Sequence, residues 1–108
     1  MACTTIWKID AEKAKKWIEE EKAVLLDVRE QEEYQKGHIH KSICIPLIQL
    51  SDETGKLMLD KEDSIIVCCQ SGNRSRQGAE VLKLLGYENV YDLGGIENWP
   101  FELITETI

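Results

Sequence analysis

The stretch from Ile65 to Tyr87, IIVCCQSGNRSRQGAEVLKLLGY, places two adjacent cysteines at the end of an apolar run and follows them with a short polar loop. The run DSIIVCC (63–69) is rich in β-branched residues and reads as a strand buried on both faces. From about Asn73 onward, Ala79, Leu82 and Leu85 recur on one helical face, and Gly86 is placed to end that helix. A strand, a tight loop and a helix in succession gather backbone N–H groups around one point, where the helix N-terminus adds about half a positive charge. That point attracts an anion, and a thiol held there is expected to ionise more readily than a free cysteine. Gly72 permits the tight loop, Ser71, Asn73 and Ser75 supply polar groups and turn propensity, and Arg74 adds a fixed charge if it points inward.

Which cysteine occupies the point decides the chemistry. Four residues separate Cys69 from Arg74 and five separate Cys68 from it. The shorter loop suits a single sulfur atom; a phosphoryl group, with three equatorial oxygens, needs the wider cradle. Position favours Cys69, because Cys68 still belongs to the apolar strand and strand alternation sends the two side chains to opposite faces. Cys68 then reads as a small buried hydrophobe.

Working outward, AVLLDV (23–28) is a second buried strand, and REQEEYQKG (29–37) has helical composition with Gly37 as its stop. SICIPL (42–47) is another short strand, SDETGK (51–56) a polar turn and NVYDLGG (89–95) the last strand. Near the start, Asp10 can cap a helix over AEKAKKWIEEE (11–21), where Ala11, Ala14, Trp17 and Ile18 share a face. ELITETI (102–108) reads as a surface tail or a short docking helix. Strands alternating with helices predict an α/β sandwich, a mainly parallel central sheet flanked by helices, with ligands bound beyond the carboxyl ends of the strands. The chain of 108 residues is sized for one domain, and no repeat or linker divides it.

The net charge of −7, with Lys and Arg scattered among acids, argues against nucleic acid or an anionic membrane as partner. No apolar run approaches the roughly 20 residues of a membrane span, and the first residues lack the pattern of a secretory signal. A cytoplasmic protein is expected. The spacing of Cys3, Cys44, Cys68 and Cys69 matches no zinc pattern, and reduced thiols are the expected state.

The chain resembles a single-domain rhodanese, a sulfurtransferase of the thiosulfate:cyanide type. LLDVREQEEYQKGHI (25–39) is similar to the family's first signature, CQSGNRS (69–75) to its active-site loop and VYDLGGIENW (90–99) to its closing segment. The resemblance implies a rhodanese-like three-layer sandwich, a persulfide carried on Cys69, and a substrate cradle made by Gln70, Ser71, Gly72, Asn73, Arg74 and Ser75 through backbone amides. It implies small-molecule sulfur donors and acceptors, with a protein sulfur carrier as a further partner, and neither a metal nor an organic cofactor. The match departs at GHIHKS (37–42), where the family has Pro and Gly. It departs again at uncharged Gln70, which leaves a persulfide protein or a polysulfide open as donor.

Asp27, ending a buried strand, is expected to make structural hydrogen bonds. Arg29 and Glu33, four apart, read as a helix-type ion pair. His38 reads as a packed, hydrogen-bonded residue, and Trp7, Trp17 and Trp99 as core or edge packing. Two other function classes stay open. One is a cysteine phosphatase or arsenate reductase read from Cys68, against which Val67 stands where such enzymes usually have His. The other is a non-catalytic rhodanese-like binding module.

Overall fold

The computed structural model describes residues 5–105. Cys3 and the last three residues of ELITETI lie outside that range. Five strands, β1 (Trp7–Lys8), β2 (Val24–Asp27), β3 (Ile43–Cys44), β4 (Ser64–Cys69) and β5 (Asn89–Gly95), form one parallel sheet in the order β1-β5-β4-β2-β3. β4 takes the centre because it is apolar on both sides, as a central parallel strand must be. Ile65, Val67 and Cys69 enter one core with Leu26, Val28, Leu50, Ala79 and Leu82. Ile66 and Cys68 enter the other with Ile9, Ala14, Ile18, Leu25 and Ile96. Each large aliphatic side chain buried this way contributes about 1.5–3 kcal/mol.

Helices cover both faces, which is what gives a double-sided strand two cores. α1 (Ala11–Glu19) starts where the Asp10 carboxylate accepts from the Lys13 N–H at 2.7 Å, and it buries Ala14 and Ile18. α4 (Asn73–Leu84) buries Ala79 and Leu82 on the other face. It lies close to the sheet at Gly78, where an added Cβ would sit 3.2 Å from Val28 and Val67 methyl groups. α2 (Gln31–Gln35) is short and opens with a reciprocal capping box between Glu30 and Glu33. Among the described residues no helix is long and apolar enough to cross a membrane.

The structure departs from the sequence reading in local details and adds to it. SDETGK is not a simple turn: α3 (Leu50–Glu53) and a 3-10 turn over Thr54–Leu57 run through it, because buried Leu50 and Thr54 pack inward and the Thr54 hydroxyl donates to the Leu50 carbonyl at 2.6 Å. The edge strand β1 escaped the sequence reading, since two residues carry no period; it exists by pairing with Tyr91 and Asp92. Of the two readings of ELITETI, the described part is the surface tail and not the helix: residues 102–105 are exposed, and Ile104 makes an antiparallel bridge to His38. Arg29 and Glu33 do not form an ion pair. Arg29 precedes α2, and its guanidinium turns inward to Asp27.

A bulge in β5 matters most for the site. Val67 pairs with Asp92, but Cys68 pairs with Gly94 and Cys69 with Gly95, so Leu93 is the extra residue. The bulge brings two consecutive glycines alongside the two cysteines.

Candidate active site

β4 ends at Cys69, and α4 begins after three intervening residues. Gly72 makes the junction in the left-handed region, φ +106°, a conformation glycine adopts without the Cβ penalty. Its N–H donates to Cys69 Sγ at 3.0 Å. The sulfur therefore lies against a backbone N–H at the N-terminal end of α4. Cys69 is 0% exposed. Cys68 is equally buried but faces the opposite core, where burial first, then the negative charge of Asp27, pushes its thiol well above the ordinary range. Cys44, half-buried on β3, is also raised, to about 11, mainly by burial.

The loop is held from three sides. On the first, Asp27 and Arg29 are buried together. Arg29 Nε donates to both Asp27 carboxylate oxygens, Nη2 to Asp27 Oδ2 (2.8 Å) and the Gly37 carbonyl (2.8 Å), and Nη1 to the Glu33 carbonyl (3.3 Å) and Gln70 Oε1 (3.2 Å). All five guanidinium N–H donors find acceptors, which is how a charge this deep is tolerated. Desolvation opposes that charge, but the hydrogen-bonded Asp27 carboxylate outweighs it and the Arg29 pKa rises. Asp27 thus makes the structural hydrogen bonds expected of it.

On the second side, Arg74 reaches across to Glu33, Nη1 to Oε1 at 2.7 Å and Nη2 to Oε2 at 2.8 Å. The Arg74 hydrogen bonds hold the Glu33 carboxyl down to about 2. On the third side, Ser75 is buried, with Oγ 2.7 Å from Asp92 Oδ1 and 3.0 Å from the Gly72 carbonyl; its single proton goes to one of them at a time. Asp92 Oδ1 also accepts the Gly94 N–H at 2.9 Å. The Glu97 N–H donates to the Gln70 carbonyl at 3.3 Å.

The structure therefore sorts the expected cradle residues. Cys69 and Gly72 meet at the sulfur. Gln70, Arg74 and Ser75 direct their side chains to Arg29, Glu33 and Asp92. Ser71 and Asn73 are exposed on the rim. His38 is stacked on Tyr34 with ring centroids 3.9 Å apart and Nδ1 2.9 Å from the Tyr34 carbonyl.

Three contributors escaped the sequence reading. Asp92 anchors two groups at once, and Glu33 partners Arg74 rather than Arg29. Gly95 lies so near the loop that a Cβ there would sit 2.7 Å from Ser71 Cα and 2.8 Å from its carbonyl carbon, and closer still to the Gln70 carbonyl oxygen. The pair Gly94–Gly95 at the end of the last strand was the available signal for that approach.

Comparison with known proteins agrees with this architecture. The model of the rhodanese-like domain matches residues 10–101. The chain is 31% identical over 98 residues to the thiosulfate sulfurtransferase PspE of Escherichia coli (strain K12), covering 91% of this chain and 86% of that protein. It is 35% identical over 92 residues to the thiosulfate sulfurtransferase GlpE of Pseudomonas savastanoi pv. phaseolicola, covering 84% and 85%. Among solved structures, a rhodanese-related protein from Thermoplasma volcanium superposes with a TM-score of 0.78 at 32% identity, over 93% of this chain and 99% of that one. A parallel α/β sheet, a cysteine loop at the end of its central strand and these matches together place the chain in the rhodanese-like sulfurtransferase family.

Proposed function

We propose that the chain, acting as one domain over residues 1–108, moves a sulfane sulfur from a donor such as thiosulfate to a thiophilic acceptor, cyanide or a thiol, through a persulfide on Cys69. The observation that carries this reading is the placement of Cys69 Sγ at the end of β4, 3.0 Å from the Gly72 N–H and beneath the start of α4. The Cys69 thiolate attacks the outer sulfur of thiosulfate. A new S–S bond forms, the old one breaks, and its electron pair leaves with sulfite. The persulfide anion inherits the loop's N–H donor and the helix dipole, which favour its negative charge. Cyanide then attacks the outer sulfur and leaves as thiocyanate, returning the thiolate. No general base is needed once the thiol is ionised.

Burial of Cys68 in the opposite core counts against a phosphatase reading from that residue. Intact-protein mass spectrometry after incubation with thiosulfate tests the proposal. A gain of one sulfur atom, reversed by cyanide, is expected in the wild type and Cys68→Ser and not in Cys69→Ser. A sulfur adduct that survives Cys69→Ser, or aryl phosphate hydrolysis that requires Cys68, overturns it.

A further inference from the structure

Two guanidinium groups approach the Cys69 loop, and a carboxylate matches each. Arg29 is paired with Asp27 in the interior. Arg74 is held through both Nη atoms by Glu33, and it stands in the first turn of α4, two residues beyond the Gly72 whose N–H meets Cys69 Sγ. Arg74 is thus the side-chain cation positioned to draw an anionic donor to the sulfur, and Glu33 cancels it. The cancellation is rigid, because Glu33 Oε1 also accepts the Glu30 N–H at 3.1 Å in the α2 capping box, which fixes the carboxylate from a second direction. Arg76, exposed in the first turn of α4, faces solvent that screens it. Glu30 and Glu97, both exposed, add negative charge in the same segments.

We propose that Glu33 is a specificity-determining residue: by pairing with Arg74 it withholds a cation from the Cys69 site and shifts preference away from a dianionic sulfane donor toward singly charged ones. This rests on sulfur transfer at Cys69. A matched pair of donors isolates the charge. Thiosulfate carries two negative charges. Methanethiosulfonate presents the same terminal sulfur on a sulfonyl group with one. Attack by the Cys69 thiolate on that sulfur breaks the S–S bond and releases methanesulfinate with the electron pair, leaving the same persulfide anion.

Glu33→Gln keeps an acceptor for the Glu30 N–H and removes the charge. Because Coulomb energy scales with ligand charge, persulfide formation should rise about tenfold in kcat/KM for thiosulfate and about threefold for methanethiosulfonate. The thiosulfate preference then rises about threefold and falls again with added salt. Glu33→Gln/Arg74→Gln should lose the shift. An unchanged preference in Glu33→Gln, or a shift that persists in the double variant, overturns the proposal. If the variants do not fold, the wild type still decides: its preference should not fall as salt is added, and a steep fall refutes a cancelled Arg74. Absence of loading by both donors would instead sink the sulfurtransferase proposal and with it this one.

Discussion

Replacing Gly95 with alanine tests whether the close approach of β5 holds the Cys69 loop in place. Gly95 has φ −89° and ψ 140°, which any residue can adopt, so the substitution carries no conformational penalty. The cost is steric alone. The new Cβ would stand 2.7 Å from Ser71 Cα, roughly 0.8 Å inside the nearest favourable carbon–carbon separation. The obstructing atoms are backbone, so no side chain can rotate away. Gly95 is itself fixed by pairing with Cys69, which leaves the loop as the part that moves. Overpacking of this kind costs about 1–3 kcal/mol, which lowers Tm by about 4–8 °C per kcal/mol for a domain near this size. A displacement approaching 1 Å at a reacting group can cost about 100-fold in rate.

Thermal unfolding and the rate of persulfide loading from thiosulfate measure the two effects. Gly94→Ala is the control: its Cβ meets nothing within 4 Å, but its φ is +89°. That variant should lose about 1 kcal/mol through backbone strain while keeping most of its loading rate. Equal loading by Gly95→Ala and the wild type would refute the claim that β5 positions the loop.

Asp27→Ala leaves the Arg29 guanidinium buried without its counter-ion and should cost about 3–5 kcal/mol; Asp27→Ala/Arg29→Met, which removes both charges, should recover much of the loss in chemical denaturation. Asp92→Ala strips the acceptor from the Gly94 N–H and from Ser75, and should destabilise by about 1–3 kcal/mol while slowing loading more than an equally destabilising change remote from the loop. Glu33 has its carboxyl lowered from 4.5 to about 2, so its pairing with Arg74 stabilises the fold fully above 4.5 and is lost as pH falls toward 2. The pair is about one-third exposed. The stability gap between wild type and Glu33→Gln should therefore be about 1 kcal/mol or less at neutral pH and close between those limits, as read by denaturation at stepped pH.

The pattern of residues alone determined the central strand, the two main helices and the face of each cysteine. Those features depend on local periodicity: two residues per repeat in β4, which separates Cys68 from Cys69, and 3.6 in α1 and α4, whose Ala14, Ile18, Ala79 and Leu82 reach the core. The glycine before α4 and the cap at Asp10 were legible for the same reason, since each acts within three residues. Partner choice was not. Arg29 lies four residues from Glu33 and two from Asp27, and the sequence offered the helical spacing as its guide; the chain turns inward before α2 begins, so the nearer carboxylate wins. Glu33 then meets Arg74, 41 residues away, and Ser75 meets Asp92, 17 away. The bulge at Leu93 that aligns Gly95 with Cys69 exists only once β4 and β5 pair. Local chemistry therefore placed Cys69 at the end of the central strand, while the charges and contacts that hold its loop arose from strands and helices brought together by burial.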